Sequence, residues 1–126
     1  MQSRAAKVGF DWEKPEQVWA KVREELEELR RTLHRGSKQR REEEFGDLLF
    51  ALVNYARFLR IDPETALRHT NQKFAARFGY IEQELARRGR HPHDSTLAEM
   101  DALWNEAKQR RRRRRRRQRS RRRSRR

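Results

Sequence analysis

Cysteine is absent from this chain of 126 residues, proline occurs three times and glycine five. The missing thiols remove disulfides, thiolate chemistry and zinc–thiolate sites, and their absence suits a reducing compartment. The longest apolar run, residues 48–53, is six residues long and far short of a membrane span. Basic residues near Met1 are followed by no apolar stretch, so no secretory signal is read there. The chain is expected to be soluble and cytoplasmic, without a membrane partner. No glycine-rich phosphate loop is present, and no Ser/His/Asp or Cys/His order suggests a covalent nucleophile. No segment alternates with a period of two, so no sheet is expected.

Positive charge is what the chain has in excess, but unevenly. The formal net charge is +15, yet residues 110–126 hold 14 Arg and no acid, which leaves +1 on residues 1–109. The length fits one domain and is too short for two cores. Residues 1–109 are therefore read as that domain and residues 110–126 as a disordered Arg-rich tail. Such a tail either binds RNA, DNA or acidic protein surfaces by counterion release or is a non-functional extension.

Helical periodicity fills the domain. A first helix starts after Pro15 and runs to about residue 33, with Val18, Trp19, Val22, Leu26, Leu29 and Leu33 as its apolar stripe. Gly36 and Ser37 end it. A second helix over about 38–59 carries Phe45, Leu48, Leu49, Leu52, Val53, Ala56 and Leu59. Asp62-Pro63-Glu64 supplies an N-cap, a proline at the first helical position and a first-turn acid for a third helix ending at Gly89. Thr96 and Glu99 form a capping box for a last helix bearing Leu97, Met100, Leu103, Trp104 and Ala107. The expected fold is an all-α helical bundle. The third helix, at about 1.5 Å per residue, spans roughly 38 Å and carries Phe74, Phe78, Tyr80 and Ile81, more than one hairpin covers. A homodimer is the simplest cover, and the alternative is a monomer whose last helix folds back over this face.

Candidate chemistry lies in carboxylates. Glu24, Glu25 and Glu28 form E-E-x-x-E beside the stripe of the first helix. Glu44 and Asp47, three residues apart on the second, share a face with Ala51, Asn54 and Phe58. An antiparallel pair of helices sets these acids opposite each other. Like charges about 5 Å apart repel by roughly 3 kcal/mol at an effective dielectric near 20. Mg2+, or Mn2+ in its place, answers that need with hard oxygen ligands. Lys73 and Arg77 add two cations four residues apart on the third helix, as binding and cleaving a polyphosphate requires. Taken singly, each motif is more often a solvated helix face with pairs such as Glu27 and Arg31. His91 and His93 form an H-x-H in a loop, with no further ligand at a recognisable spacing.

Lys7-Val8-Gly9-Phe10-Asp11-Trp12, Lys21-Val22-x-Glu24-Glu25-x-x-Glu28 and Glu42-Glu43-Glu44-x-Gly46-Asp47-Leu48-Leu49-Phe50 resemble the MazG nucleotide pyrophosphohydrolases, specifically their C-terminal catalytic half. The resemblance continues through Asn54-x-Ala56-Arg57, Asn71-x-Lys73-Phe74-x-x-Arg77-Phe78 and Glu99-Met100-x-x-Leu103-Trp104-x-x-x-Lys108. It implies an all-α fold, a tight dimer and Mg2+-dependent hydrolysis of NTPs or dNTPs to nucleoside monophosphate and pyrophosphate, a nucleotide-pool house-cleaning reaction. It further implies that Glu24, Glu25, Glu28 and Asp47 hold the metal, with Glu44 as a further ligand or base. Lys73 and Arg77 would bind phosphate, Trp104 and Lys108 would close over the nucleotide, and Asn54 and Asn71 lie near the site. The other reading is a nucleic-acid-associated protein that acts through residues 110–126 on an inert helical dimer.

Overall fold

The computed structural model describes residues 1–125, and among them every regular element is helical. The order is α1 (Gln2–Lys7), α2 (Pro15–Arg35), α3 (Lys38–Phe58), α4 (Pro63–Arg87), a single 3-10 turn (Pro92–Asp94) and α5 (Leu97–Ser124). The fold is all-α. The chain divides into two compact units, Met1–Ala66 and Leu67–Arg126, with the boundary inside the first turn of α4.

In the first unit α2 and α3 form a hairpin whose turn is set by local chemistry. Gly36 N–H donates to the Thr32 carbonyl at 2.8 Å, and the Ser37 hydroxyl accepts from Arg40 N–H at 3.2 Å to cap α3. A Cβ at position 36 would stand 2.7 Å from both the Cβ and the carbonyl oxygen of Thr32, so only glycine fits without a backbone shift. Gly36→Ala is expected to destabilise the chain by about 1–3 kcal/mol, the usual cost of overpacking, read as a lower urea midpoint at unchanged slope.

The hairpin does not bury the stripes the periodicity suggested. Val18 and Val22 are buried, but the line of burial runs on to Glu25 and Thr32, while Leu26 and Leu33 stay 55% and 58% exposed. On α3 the buried residues are Ala51 and Asn54, and Phe45, Leu49, Leu52, Val53 and Leu59 are exposed. The face carrying the acids is therefore the one that packs. Small Ala51 lets the two helices approach, whereas the bulky leucines lie to either side of that line. The N-terminal segment is tied to α3 at two points. Gln2 donates to the Phe50 carbonyl at 2.9 Å, and Asp11 ion-pairs with Arg57.

Helix α4 also begins and ends on the expected signals, and α5 begins on one. Asp62 Oδ1 accepts from Glu64 N–H at 3.1 Å, and Gly89, at φ 68, lets Arg90 N–H reach the Leu85 carbonyl at 2.9 Å. Thr96 caps α5 through Glu99 N–H at 3.2 Å. The capping box is only half made, because the Glu99 carboxylate turns instead to Arg90 at 2.7 and 2.8 Å and to Ser95 at 3.0 Å. The Ser95 hydroxyl, then Arg90 and Arg88, hold Glu99 below its ordinary pKa. Ile81, Leu85 and Leu103 form the core, with Phe78, Tyr80, Met100 and Trp104 packed against them.

Where a disordered tail was expected from residue 110, α5 continues unbroken through Arg110 to Ser124, and Arg126 lies outside the described residues. No Gly or Pro interrupts the segment and arginine is a good helix former, so local propensity carries the helix on where no apolar contact does. Arg110 still touches the unit, its guanidinium 5.1 Å from the Tyr80 ring centre. Beyond it the side chains are exposed.

Candidate active site

Antiparallel packing of α2 on α3 brings three of the five expected acids together. Carboxylate oxygens of Glu25, Glu44 and Asp47 lie within 4.8 Å of one another. Glu25 is only 8% exposed, an uncommon setting for a carboxylate that a buried partner or cation must offset. Lys21 supplies part of that charge, with Nζ 2.9 Å from Glu25 and 3.3 Å from Glu24. The hydrogen bond to Glu25, in turn, holds the Lys21 ammonium above its ordinary pKa. Glu44 is pushed up, first by burial and then by the negative charges of Glu28, Asp47 and Glu25, with Arg40 opposing.

The other two acids stand differently. Glu28 is half-buried, within electrostatic reach of Glu44 and 3.6 Å from Arg31. Glu24 is exposed and engaged by Lys21, outside the group of three. Glu27, expected to pair with Arg31, does so at 3.8 Å and more closely with Arg30 at 2.7 Å. The group of three offers anionic oxygen donors alone, which fits a hard divalent cation such as Mg2+ or Mn2+ and disfavours a soft one.

Asn54 lies two turns along α3 from Asp47 and is buried. Its Oδ1 accepts from Arg57 Nε and Nη2 at 3.2 and 3.0 Å, and Arg57 is held in turn by Asp11. That Asp11–Arg57–Asn54 chain was not visible as a unit in the sequence. Its members are 46 and three residues apart, and only the fold joins them. Lys21 was equally missed, though its position four residues before Glu25 was the available signal.

The expected phosphate-binding cations are in the second unit. Lys73 is half-buried and Asn71 exposed. Arg77 lies 5.2 Å from the Trp104 ring centre, and its buried Nε has no hydrogen-bond partner. A donor left in that state is one an anionic oxygen would satisfy. Trp104 also meets Phe74 at 5.4 Å, and Lys108 follows it by one turn on α5. Lys73 and Arg77 line a cleft of about 1120 Å3 together with Arg110 and Arg111. His91 and His93 stack on each other at 5.4 Å, and His93 faces Asp94 at 3.4 Å. Among the described residues no helix is long and apolar enough to cross a membrane.

Comparison with known proteins gives a consistent picture. A protein of Thermotoga maritima named nucleoside triphosphate pyrophosphohydrolase/pyrophosphatase MazG is 43% identical over 108 residues, covering 86% of this chain and 41% of that protein. The nucleoside triphosphate pyrophosphohydrolase of Escherichia coli is 40% identical over 111 residues, covering 86% of this chain and 42% of that one. A Bacillus subtilis protein named uncharacterized protein YabN is 58% identical over 66 residues, 52% of this chain and 14% of its own length. The chain thus spans about two fifths of the first two relatives. The MazG nucleotide pyrophosphohydrolase domain matches residues 13–81, which hold all five acids together with Lys73 and Arg77, and the chain belongs to that family.

Proposed function

We propose that this chain hydrolyses nucleoside triphosphates, NTP or dNTP, to nucleoside monophosphate and pyrophosphate in a Mg2+-dependent reaction. The observation that carries the reading is the Glu25–Glu44–Asp47 carboxylate group, held partly buried on two helices. The names of the Thermotoga and Escherichia relatives agree with it. Glu25, Glu44 and Asp47 would hold the metal, with Glu28 and Glu24 completing the set as the family resemblance implies. Mg2+ held by these carboxylates would neutralise charge on the triphosphate and would make the attacking water more acidic. A water adds at phosphorus, the α–β anhydride bond breaks, and one carboxylate takes the water's proton. Glu28 and Glu44 are the two assigned to that proton. Glu44 suits it because burial and the neighbouring acids Glu28, Asp47 and Glu25 raise its pKa and so its basicity. Lys73 and Arg77 stabilise the charge on the departing pyrophosphate. Trp104 and Lys108 are assigned to the nucleotide, and Asn54 and Asn71 to its surroundings. House-cleaning of the nucleotide pool in the cytoplasm is the role that this chemistry fits.

The test is an assay of pyrophosphate from dATP, dTTP and GTP with Mg2+. Release from at least one of them supports the reading, and none from any of them contradicts it. Dimerisation belongs to the same proposal. Leu26, Leu33, Leu49 and Phe74 are each about half exposed in the single chain, and Leu67 is 61% exposed. So much apolar surface is costly in water and suits a subunit interface. Light scattering is expected to give a dimer, for residues 1–109 as for the full chain, and a monomer at micromolar concentration would contradict it.

A further inference from the structure

The Arg-rich half of α5 is unused by the hydrolysis. Residues 110–124 include 12 Arg, and the helix is continuous to Ser124. At about 1.5 Å per residue this stretch is roughly 22 Å long, so it presents one positive charge per ~1.9 Å. Duplex DNA presents one negative charge per about 1.7 Å of its axis. The two charge densities are nearly matched, over a length of about six base pairs.

The basic track does not end where α5 leaves the body of its unit. Arg110, Arg111, Arg114 and Arg115 line the cleft of about 1120 Å3 with Lys73 and Arg77 on α4. One acid, Glu84, lines it, and Arg87 is 3.2 Å from that carboxylate. A cleft walled by cations suits a phosphate backbone, not the apolar body of a small ligand.

We propose that the Arg110–Ser124 half of α5 is a duplex-DNA-binding helix, with the α4–α5 cleft continuing its phosphate track. The major groove, about 12 Å wide, admits an α-helix, and continuous basic helices dock there. Arginine, glutamine and serine make up the whole segment, so it lacks the apolar face needed for a protein groove or a lipid surface. Guanidinium groups surround the helix and contact phosphates in any sequence, so binding is independent of base order.

Fluorescence anisotropy of a labelled 20-base-pair duplex with the full chain tests this. If six or more phosphates are neutralised, affinity is expected to fall at least about 10^3-fold between 50 and 200 mM salt. Two unrelated sequences should bind within about threefold, and a single-stranded 20-mer at least tenfold more weakly, its charges being sparser. The combined variant Arg117→Gln, Arg119→Gln, Arg121→Gln, at positions outside the cleft, keeps helix propensity. It should lower the slope of log affinity against log salt by about 2–3 and leave pyrophosphate release unchanged. Asp47→Asn should bind the duplex like wild type, which separates failure of this proposal from failure of the hydrolase reading. An unchanged slope in the triple variant would overturn the proposal. So would equal affinity for the single strand, for polyglutamate or for anionic phosphatidylserine vesicles.

Discussion

Asp47→Asn or Glu25→Gln should reduce pyrophosphate release by about 10^2–10^3-fold or more and leave the helical CD spectrum intact. A metal ion contributes several kcal/mol of transition-state charge stabilisation, and each 1.36 kcal/mol is tenfold in rate. Both substitutions keep the side chain's shape and remove one charge from the group of three. Glu28→Gln should be comparably severe, because Glu28 is felt at Glu44 and is one of the two residues assigned to the water's proton. Glu24→Gln should cost less, about tenfold, since that carboxylate is exposed and engaged by Lys21. The ranking tests the geometry as well as the chemistry. Equal losses at Glu24 and Glu25, or near wild-type turnover in Asp47→Asn, would contradict it.

The second large effect is on stability. Burial and three neighbouring acids raise the pKa of Glu44 in the folded chain. Between the ordinary carboxylate pKa and that raised value, the folded chain therefore binds more protons than the unfolded one. Stability of the metal-free protein then falls as pH rises through this window, and above it the full penalty remains. A divalent cation reverses the effect by supplying the missing positive charge. Mg2+ at about 100 times its dissociation constant adds about 2.7 kcal/mol, or roughly 10 °C in Tm for a chain of this size. That shift should be large at pH 8, small at pH 4.5 and absent in Asp47→Asn. The same variant should be more stable than wild type without metal, because it relieves repulsion. Thermal scans with EDTA and with Mg2+ at both pH values check all four statements. A Mg2+ shift that is independent of pH would count against the carboxylate group as its site.

How much of this was legible beforehand depends on whether the signal was local. Pro15, Gly36-Ser37, Asp62-Pro63, Gly89 and Thr96 each act within a turn of themselves, and each begins or ends a helix where expected. The stripes were less secure. Periodicity shows that apolar residues share a side but not what covers that side, and Leu26, Leu33, Leu49 and Val53 lie uncovered in the single chain. The shared face of Asp47, Ala51 and Asn54 was the better guide, because a small residue beside acids marks a close helix crossing. It led to Glu25, Glu44 and Asp47 but not to the separation of Glu24, which depends on Lys21. Over residues 110–125 the local signals compete: like charge argued for disorder, while arginine's helix propensity without a breaker accompanies a helix drawn to Ser124.

The central claim is that this carboxylate group serves cleavage of the α–β anhydride bond, and product analysis by 31P NMR tests it most directly. With an NTP and Mg2+, the spectrum should gain nucleoside monophosphate and pyrophosphate in equal amounts. Neither should form with EDTA or with Asp47→Asn. Nucleoside diphosphate and orthophosphate as the primary products, or turnover that survives EDTA, would contradict the claim.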